Sequence, residues 1–169
     1  AVLVSLCPDA KSQLTAAFSA SPLSGCAPLA VSFTDQSTGS PTAWQWDLGN
    51  GTQSTQQNPT STYFNSGLYT ISLTVTNASG TNTITKTQYI KVDDKPVVDF
   101  IASNTTGCFP LRASFTDLSS GGSAAITNWE WDFGDGTLST AANPFHVYTV
   151  AGNYTVTLKV TNAGGCSKV

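Results

Sequence analysis

His146 is the only histidine in the 169-residue chain. To act as a catalytic base it would need a nucleophile and an orienting acid within reach. The sequence has no Gly-x-Ser-x-Gly elbow, no phosphate-binding loop and no paired glutamates, so no enzymatic chemistry is expected. Asp47, Asn50, Asp132 and Asp135 can be read as calcium ligands. Calcium takes roughly six to eight oxygens, usually from a dense acidic loop. The stretch "DFGDG" (Asp132–Gly136) supplies two carboxylates, and a turn accounts for both. Trp44, Trp46, Trp129 and Trp131 could stack on sugar rings, but the i, i+2 spacing within each pair puts both rings on one face, as a core requires. A zinc site is not expected, because there is no Cys-x-x-Cys and only one His. No cofactor follows from these residues.

What positions them is a repeat. "GCAPLAVSFTD" (Gly25–Asp35) returns 82 residues later as "GCFPLRASFTD" (Gly107–Asp117). "WQWDLGNGTQST" (Trp44–Thr55) returns 85 residues later as "WEWDFGDGTLST" (Trp129–Thr140), and Asn58–Gly80 returns at the same offset as Asn143–Gly165. The change of offset falls around "GGSAA" (Gly121–Ala125), which reads as a variable surface loop. Each copy reads as all-β. In "LYTISLTVT", Tyr69, Ile71, Leu73 and Val75 alternate with polar residues, as Tyr154, Val156, Leu158 and Val160 do in "NYTVTLKVT". Period-two alternation marks a strand with one face on a core and one in water. Short strands between regular Gly, Asn, Pro and Asp signals point to a β-sandwich. Asp9–Phe18 is the one weak helical candidate.

Composition agrees. Apolar residues make up 40%, enough for a core. Charged residues are 10%, against about a quarter in soluble domains generally. The surface is therefore neutral and polar, built from 25 Thr and 20 Ser. The net charge is −3 and the basic residues are scattered, which argues against nucleic acid as a partner. No apolar run reaches the length of a membrane span, so membrane insertion is not expected. "AVLVSL" (Ala1–Leu6) is too short for a signal-peptide core. With no Met, the chain reads as a processed product or a fragment.

The pattern W-x-W-D-[FL]-G-[DN]-G-T-x-S-T, then N-P-x-x-x-Y, then G-x-Y-x-[IV]-x-L-x-V-x-N, resembles the polycystic-kidney-disease (PKD) domain. The resemblance covers Leu14–Val92 and Val97–Val169. It implies two tandem immunoglobulin-like β-sandwiches in an extracellular protein, used as a surface repeat or as a spacer or carbohydrate-binding accessory of a secreted hydrolase. It also implies that His146, just before Tyr148, is structural. Three segments are expected: an N-terminal strand and linker over 1–13, a first domain over 14–95 and a second over 96–169.

Four cysteines in such a chain point to disulfides, for which three pairings exist. Cys108 precedes the second strand of copy two and Cys166 follows its long strand, which favours Cys108–Cys166 and leaves Cys7–Cys26; four buried free thiols are the alternative. Asn77, Asn104 and Asn153 open N-glycosylation sequons.

The copies differ at their ends. Copy one continues past Gly80 through "TKTQYIKV" (Thr85–Val92), a final strand that copy two lacks. Ala1, Val2, Leu3, Val4, Ser5 and Leu6 form a surplus apolar strand ahead of copy one. The expectation is that this donor completes the open sandwich of another copy, pairing with the strand that carries Tyr154, Val156, Leu158 and Val160. The partners expected are thus further copies in a head-to-tail filament, stalk or adhesin, or further PKD repeats. The alternative is a spacer or carbohydrate-binding module of a larger secreted protein, with surface polysaccharide as its partner.

Overall fold

In the computed structural model, which describes residues 13–169, every regular element is a strand. The first repeat supplies β1 (Phe18–Ser21), β2 (Ser24–Cys26), β3 (Leu29–Asp35), β4 (Ala43–Asp47), β5 (Gln53–Ser54), β6 (Thr60–Tyr63), β7 (Gly67–Asn77) and β8 (Gly80–Asp93). The second supplies β9 (Phe100–Ser103), β10 (Leu111–Asp117), β11 (Ile126–Asp132), β12 (Leu138–Ser139), β13 (Phe145–Tyr148), β14 (Thr157–Asn162) and β15 (Ser167–Lys168). In the first repeat one sheet runs β1-β3-β6 and the other β2-β8-β7-β4-β5. In the second repeat the sheets run β13-β10-β9 and β12-β11-β14-β15. The weak helical candidate forms no helix within the described residues: Thr15 bridges Thr38, and β1 begins at Phe18.

By compactness the chain divides into two units. The described part of the first is residues 13–23, Ala30–Tyr63 and Leu68–Lys91; the second is Ser24–Leu29, Phe64–Gly67 and Val92–Val169. Each has the same aromatic centre. In the first, Trp46 meets the Phe18 ring edge-on at 5.2 Å and Phe33 at 5.7 Å. In the second, Trp131 meets Phe100 at 5.1 Å and Phe115 at 5.5 Å. Both indoles are buried, and a buried N–H needs an acceptor. Trp46 Nε1–H donates to the Gln56 carbonyl and Trp131 Nε1–H to that of Ala141, each at 2.9 Å. The alternation read from the sequence sets which residues point inward: Ile71, Leu73 and Val75 are fully buried along β7.

A tyrosine fixes the turn after each tryptophan strand. Tyr63 Oη donates to the Leu48 carbonyl at 2.7 Å, and Tyr148 Oη to that of Phe133 at 3.1 Å. Gly134, at φ 81°, sits in the second of these turns, where a Cβ would stand 2.5 Å from the Thr155 carbonyl oxygen. That close approach needs glycine both for the backbone angle and for the space.

The two sandwiches differ where the sequence ends differ. β8 has fourteen residues; its counterpart β15 has two. β7 has eleven, while β14 has six. Within residues 93–169 no strand corresponds to the second half of β8. Gly152–Val156, equivalent to the first half of β7, is not a strand, and neither is Thr106–Cys108, equivalent to β2. In the first repeat β8 lies between β2 and β7, so the two segments that differ are the counterparts of its neighbours.

Replacing Tyr63 by Phe leaves a buried carbonyl without its donor, at a cost of about 1–3 kcal/mol. The urea midpoint of the Tyr63→Phe chain is expected to fall accordingly, and an unchanged midpoint would refute this role for the hydroxyl.

Candidate functional site

The residues with chemical potential are tied into the fold in ways the geometry makes explicit. Asp47 Oδ1 accepts from Gly49 N–H and Asp132 Oδ1 from Gly134 N–H, both at 2.9 Å, so each carboxylate closes its own turn. Trp44 Nε1–H donates to Asp35 at 2.7 Å and Trp129 Nε1–H to Asp117 at 2.6 Å. Burial alone would raise the Asp35 pKa, but hydrogen bonds from Ser37, Gln57 and Trp44 outweigh it and hold this carboxyl below its ordinary value. All four tryptophans are at least half-buried, and none presents an open face. Among the described residues no group of three or more His, Cys, Asp or Glu side chains gathers as a metal site would require. Of the sequons, Asn77 uses its amide to hold the Gly39 carbonyl at 2.7 Å, while Asn104 and Asn153 are exposed.

His146 and Asp135 form a pair that the sequence reading missed. His146 Nε2 lies 2.7 Å from Asp135 Oδ2. A carboxylate only accepts, so Nε2 carries the hydrogen. Asp135 Oδ1 accepts from the Thr137 hydroxyl at 2.6 Å and from its N–H at 3.0 Å. The hydrogen bonds from Thr137 first, then that from His146, draw the Asp135 carboxyl down from 3.8 to about 2. The imidazole stacks on Phe133 at 4.4 Å and meets the Tyr148 ring edge-on at 4.5 Å. It is a packed ring hydrogen-bonded to one carboxylate. In the first repeat the same places hold Asn50 and Ser61, whose side chains bond at 2.9 Å. A signal was therefore available: both positions change together between the repeats.

The disulfide expectation needs correction. The bond joins Cys26 to Cys166, 140 residues apart, and Cys108 is an exposed free thiol. Neither Cys108–Cys166 nor Cys7–Cys26 forms; Cys7 itself lies outside the described residues. The two cysteine segments meet beside the Asp93 carbonyl. Ala27 N–H donates to it at 2.9 Å, and Cys166 Sγ lies 3.8 Å from it. Asn162 holds the Cys166 turn, accepting from the N–H groups of Gly164 and Cys166 while donating to the carbonyls of Asp94 and Gly121. Cys108 stands instead in the loop before β10.

That loop is one lip of a cavity of about 450 Å³ in the second unit. Phe100, Phe115, Tyr148 and Leu111 line its interior, and Gly152–Val156 forms the other lip. Of the expected acceptor residues, Leu158 and Val160 are buried on β14. Tyr154 and Val156 precede that strand and line the cavity, half-buried. Tyr154 stacks on Tyr148 at 4.5 Å and donates to the Val150 carbonyl at 2.9 Å. The proposed donor, Ala1–Leu6, lies outside the described residues.

A family model described as PKD domain matches residues 13–92 and again residues 93–169. The pre-pro-metalloprotease PrtV of Vibrio cholerae is 27% identical over 141 residues, covering 83% of this chain and 15% of that protein. Collagenase ColA of Bacillus cereus is 52% identical over 40 residues, 24% of this chain and 4% of that one. The chain thus spans a small part of each of these relatives. Among solved structures, the PKD1 domain of V. cholerae PrtV is 33% identical, with 47% of this chain and 96% of that domain covered and a TM-score of 0.41. The PKD1 domain of Vibrio anguillarum Epp is 36% identical, with 46% and 92% covered and a TM-score of 0.40.

Two outcomes check these assignments. Because the folded pKa of Asp135 lies below its ordinary value, its contribution to stability is present above pH 3.8 and is lost as pH falls towards about 2. The melting temperature of the native chain is expected to decline through that window, and Asp135→Asn to flatten part of the decline; a parallel curve for the variant would contradict the pairing. Native alkylation followed by non-reducing peptide mapping is expected to label Cys108 and to recover a Cys26–Cys166 linked peptide. A Cys108–Cys166 peptide would overturn the assignment.

Proposed function

The chain belongs to the PKD-domain family, and on that footing we propose that it is a non-catalytic extracellular module, two tandem domains acting as a spacer within a larger secreted protein. The observation that carries this reading is that the chemistry-bearing side chains are committed to the fold: Trp46 and Trp131 to the cores, Trp44 and Trp129 to Asp35 and Asp117, Asp47 and Asp132 to turns, His146 to a packed hydrogen bond with Asp135. The matching relatives agree with it, since a protease and a collagenase each contain a similar stretch as a minor fraction of their length. A disulfide fits an oxidising compartment. No helix among the described residues is long and apolar enough to cross a membrane.

A specific feature favours a second reading. The apolar cavity of the second repeat lies where the first repeat seats its final strand. In that reading copies of the chain join head to tail by strand complementation into a surface filament, stalk or adhesin. The contact would be heterologous, giving an open polymer unless the rotation closes a ring.

The spacer reading predicts inert behaviour. The purified chain is expected to migrate equally in native gels with and without soluble polysaccharide, and to leave casein and gelatin intact. Retardation by one polysaccharide would favour a carbohydrate-binding module, with the exposed Phe145 ring as the first residue to substitute; proteolysis would exclude a non-catalytic role.

A further inference from the structure

We infer that the outer face of the β13-β10-β9 sheet is a self-association surface, and that its partner is the same face of a second copy. Alternation decides which side chains stand there. Ala113 and Phe115 of β10 are buried, so Arg112, Ser114 and Thr116 point outward. Across the ladders Arg112 lies opposite Val147 and Ser114 opposite Phe145 on β13, while Thr116 lies opposite Ile101 on β9. Just past β10, Leu118 N–H donates to the Asp99 carbonyl at 2.9 Å, which extends the same face to both residues. Four large apolar side chains thus share one side of the sheet: Phe145 is 60% exposed, Ile101 57%, Leu118 52% and Val147 38%.

The first repeat shows that the fold does not require them. At the equivalent places Thr60 stands for Phe145, Thr62 for Val147, Ser19 for Ile101 and Gln36 for Leu118. The two charges on this face also belong to the second repeat alone: Ala30 stands for Arg112 and Ala17 for Asp99. A cluster of exposed apolar side chains, on a surface otherwise built from Thr and Ser, marks a contact. The charges indicate the partner. The Arg112 guanidinium lies over the Phe145 ring at 4.2 Å. Neither it nor the Asp99 carboxylate has an ionic partner among the described residues. Arg112 marks one end of the face and Asp99, beside Leu118, the other, about 20 Å away at roughly 3.3 Å per residue. Opposite charges at the two ends, with apolar side chains between, make the face complementary to itself when turned end for end. A two-fold axis across the strands does this. It brings the Arg112 end of each copy to the Asp99 end of the other and places Phe145 and Ile101 of both in the middle. Arg and aromatic residues are those on which interfaces most depend. A sugar would find one side of the Phe145 ring covered by the guanidinium, and around it branched aliphatic carbon that offers no hydrogen bond. Three short strands offer less than the ~800 Å² per partner of a standard interface, so the pairing is reversible. It would set two spacers side by side, whichever larger protein each belongs to.

Sedimentation velocity over a dilution series reads the pairing, with the exposed Cys108 alkylated beforehand so that no intermolecular disulfide contributes. The full chain is expected to pass reversibly from monomer to dimer as its concentration rises. Phe145→Thr, which copies the first repeat, should weaken the dimer about tenfold or more. Arg112→Asp and Asp99→Arg should each be monomeric, since each sets like charges against one another across the axis. An equimolar mixture of these two variants should dimerise again, because both ends then pair opposite charges; a purely structural role for either residue would not restore association on mixing. Near-UV circular dichroism establishes that each variant is folded. A full chain that stays monomeric, a mixture that stays monomeric, or oligomers indifferent to all three substitutions, as head-to-tail strand exchange would give, would each overturn the inference. A monomeric chain retarded by a polysaccharide through Phe145 would overturn it too and give the face to that ligand.

Discussion

A strand is stable only when its backbone is paired and its inward side chains have a surface to meet. In the first repeat β8 meets both conditions, lying between β2 and β7 while Ile90 and Val92 complete the core. In residues 93–169, where no strand corresponds to Thr87–Val92, the segment equivalent to β2 is not a strand, Gly152–Val156 precedes β14 instead of extending it, and aromatic residues line a cavity. The tryptophan centre does not depend on that strand. Trp131 remains buried and hydrogen-bonded because β11 and β14 pair from Ile126 to Asp132 regardless. The second sandwich thus divides into a closed half around Trp131 and an open half around Tyr154.

Much of this was legible in the sequence because local periodicity carries it. Alternation in "LYTISLTVT" fixes which face of β7 is buried, and the i, i+2 tryptophans mark the strand beside it. What was not legible depended on contacts between distant segments. Cys166 and Ala27, the neighbour of Cys26, both lie against the carbonyl of Asp93, and the two sulfurs bond there. No spacing rule within a single repeat contains that information. The length of β14 was overestimated for a related reason: Tyr154 and Val156 have the pattern of a strand, but a strand also needs a neighbour, and pattern alone does not supply one.

The Asp135–His146 pair shows a middle case. Each residue was noted for its own chemistry, as a calcium oxygen and as a base, and neither role fits the geometry. Their meaning lies in the comparison with Asn50 and Ser61, the same contact made from neutral groups. The turn following each tryptophan strand accepts either pair because the backbone, held by Gly134 or Gly49 and by a tyrosine hydroxyl, is already fixed. One fold therefore carries two electrostatic versions of the same brace.

The Cys26–Cys166 bond has a mechanical consequence. A pull applied to the two ends of the chain would run from the N-terminal segment to Cys26, across the sulfur bridge to Cys166, and out. The intervening residues would carry no load. If extended, that shielded stretch would add about 460 Å of contour length at roughly 3.3 Å per residue. For a spacer under tension, the stretch between the two cysteines can lengthen only once that single bond is reduced, while β1, which precedes Cys26, stays in the line of load.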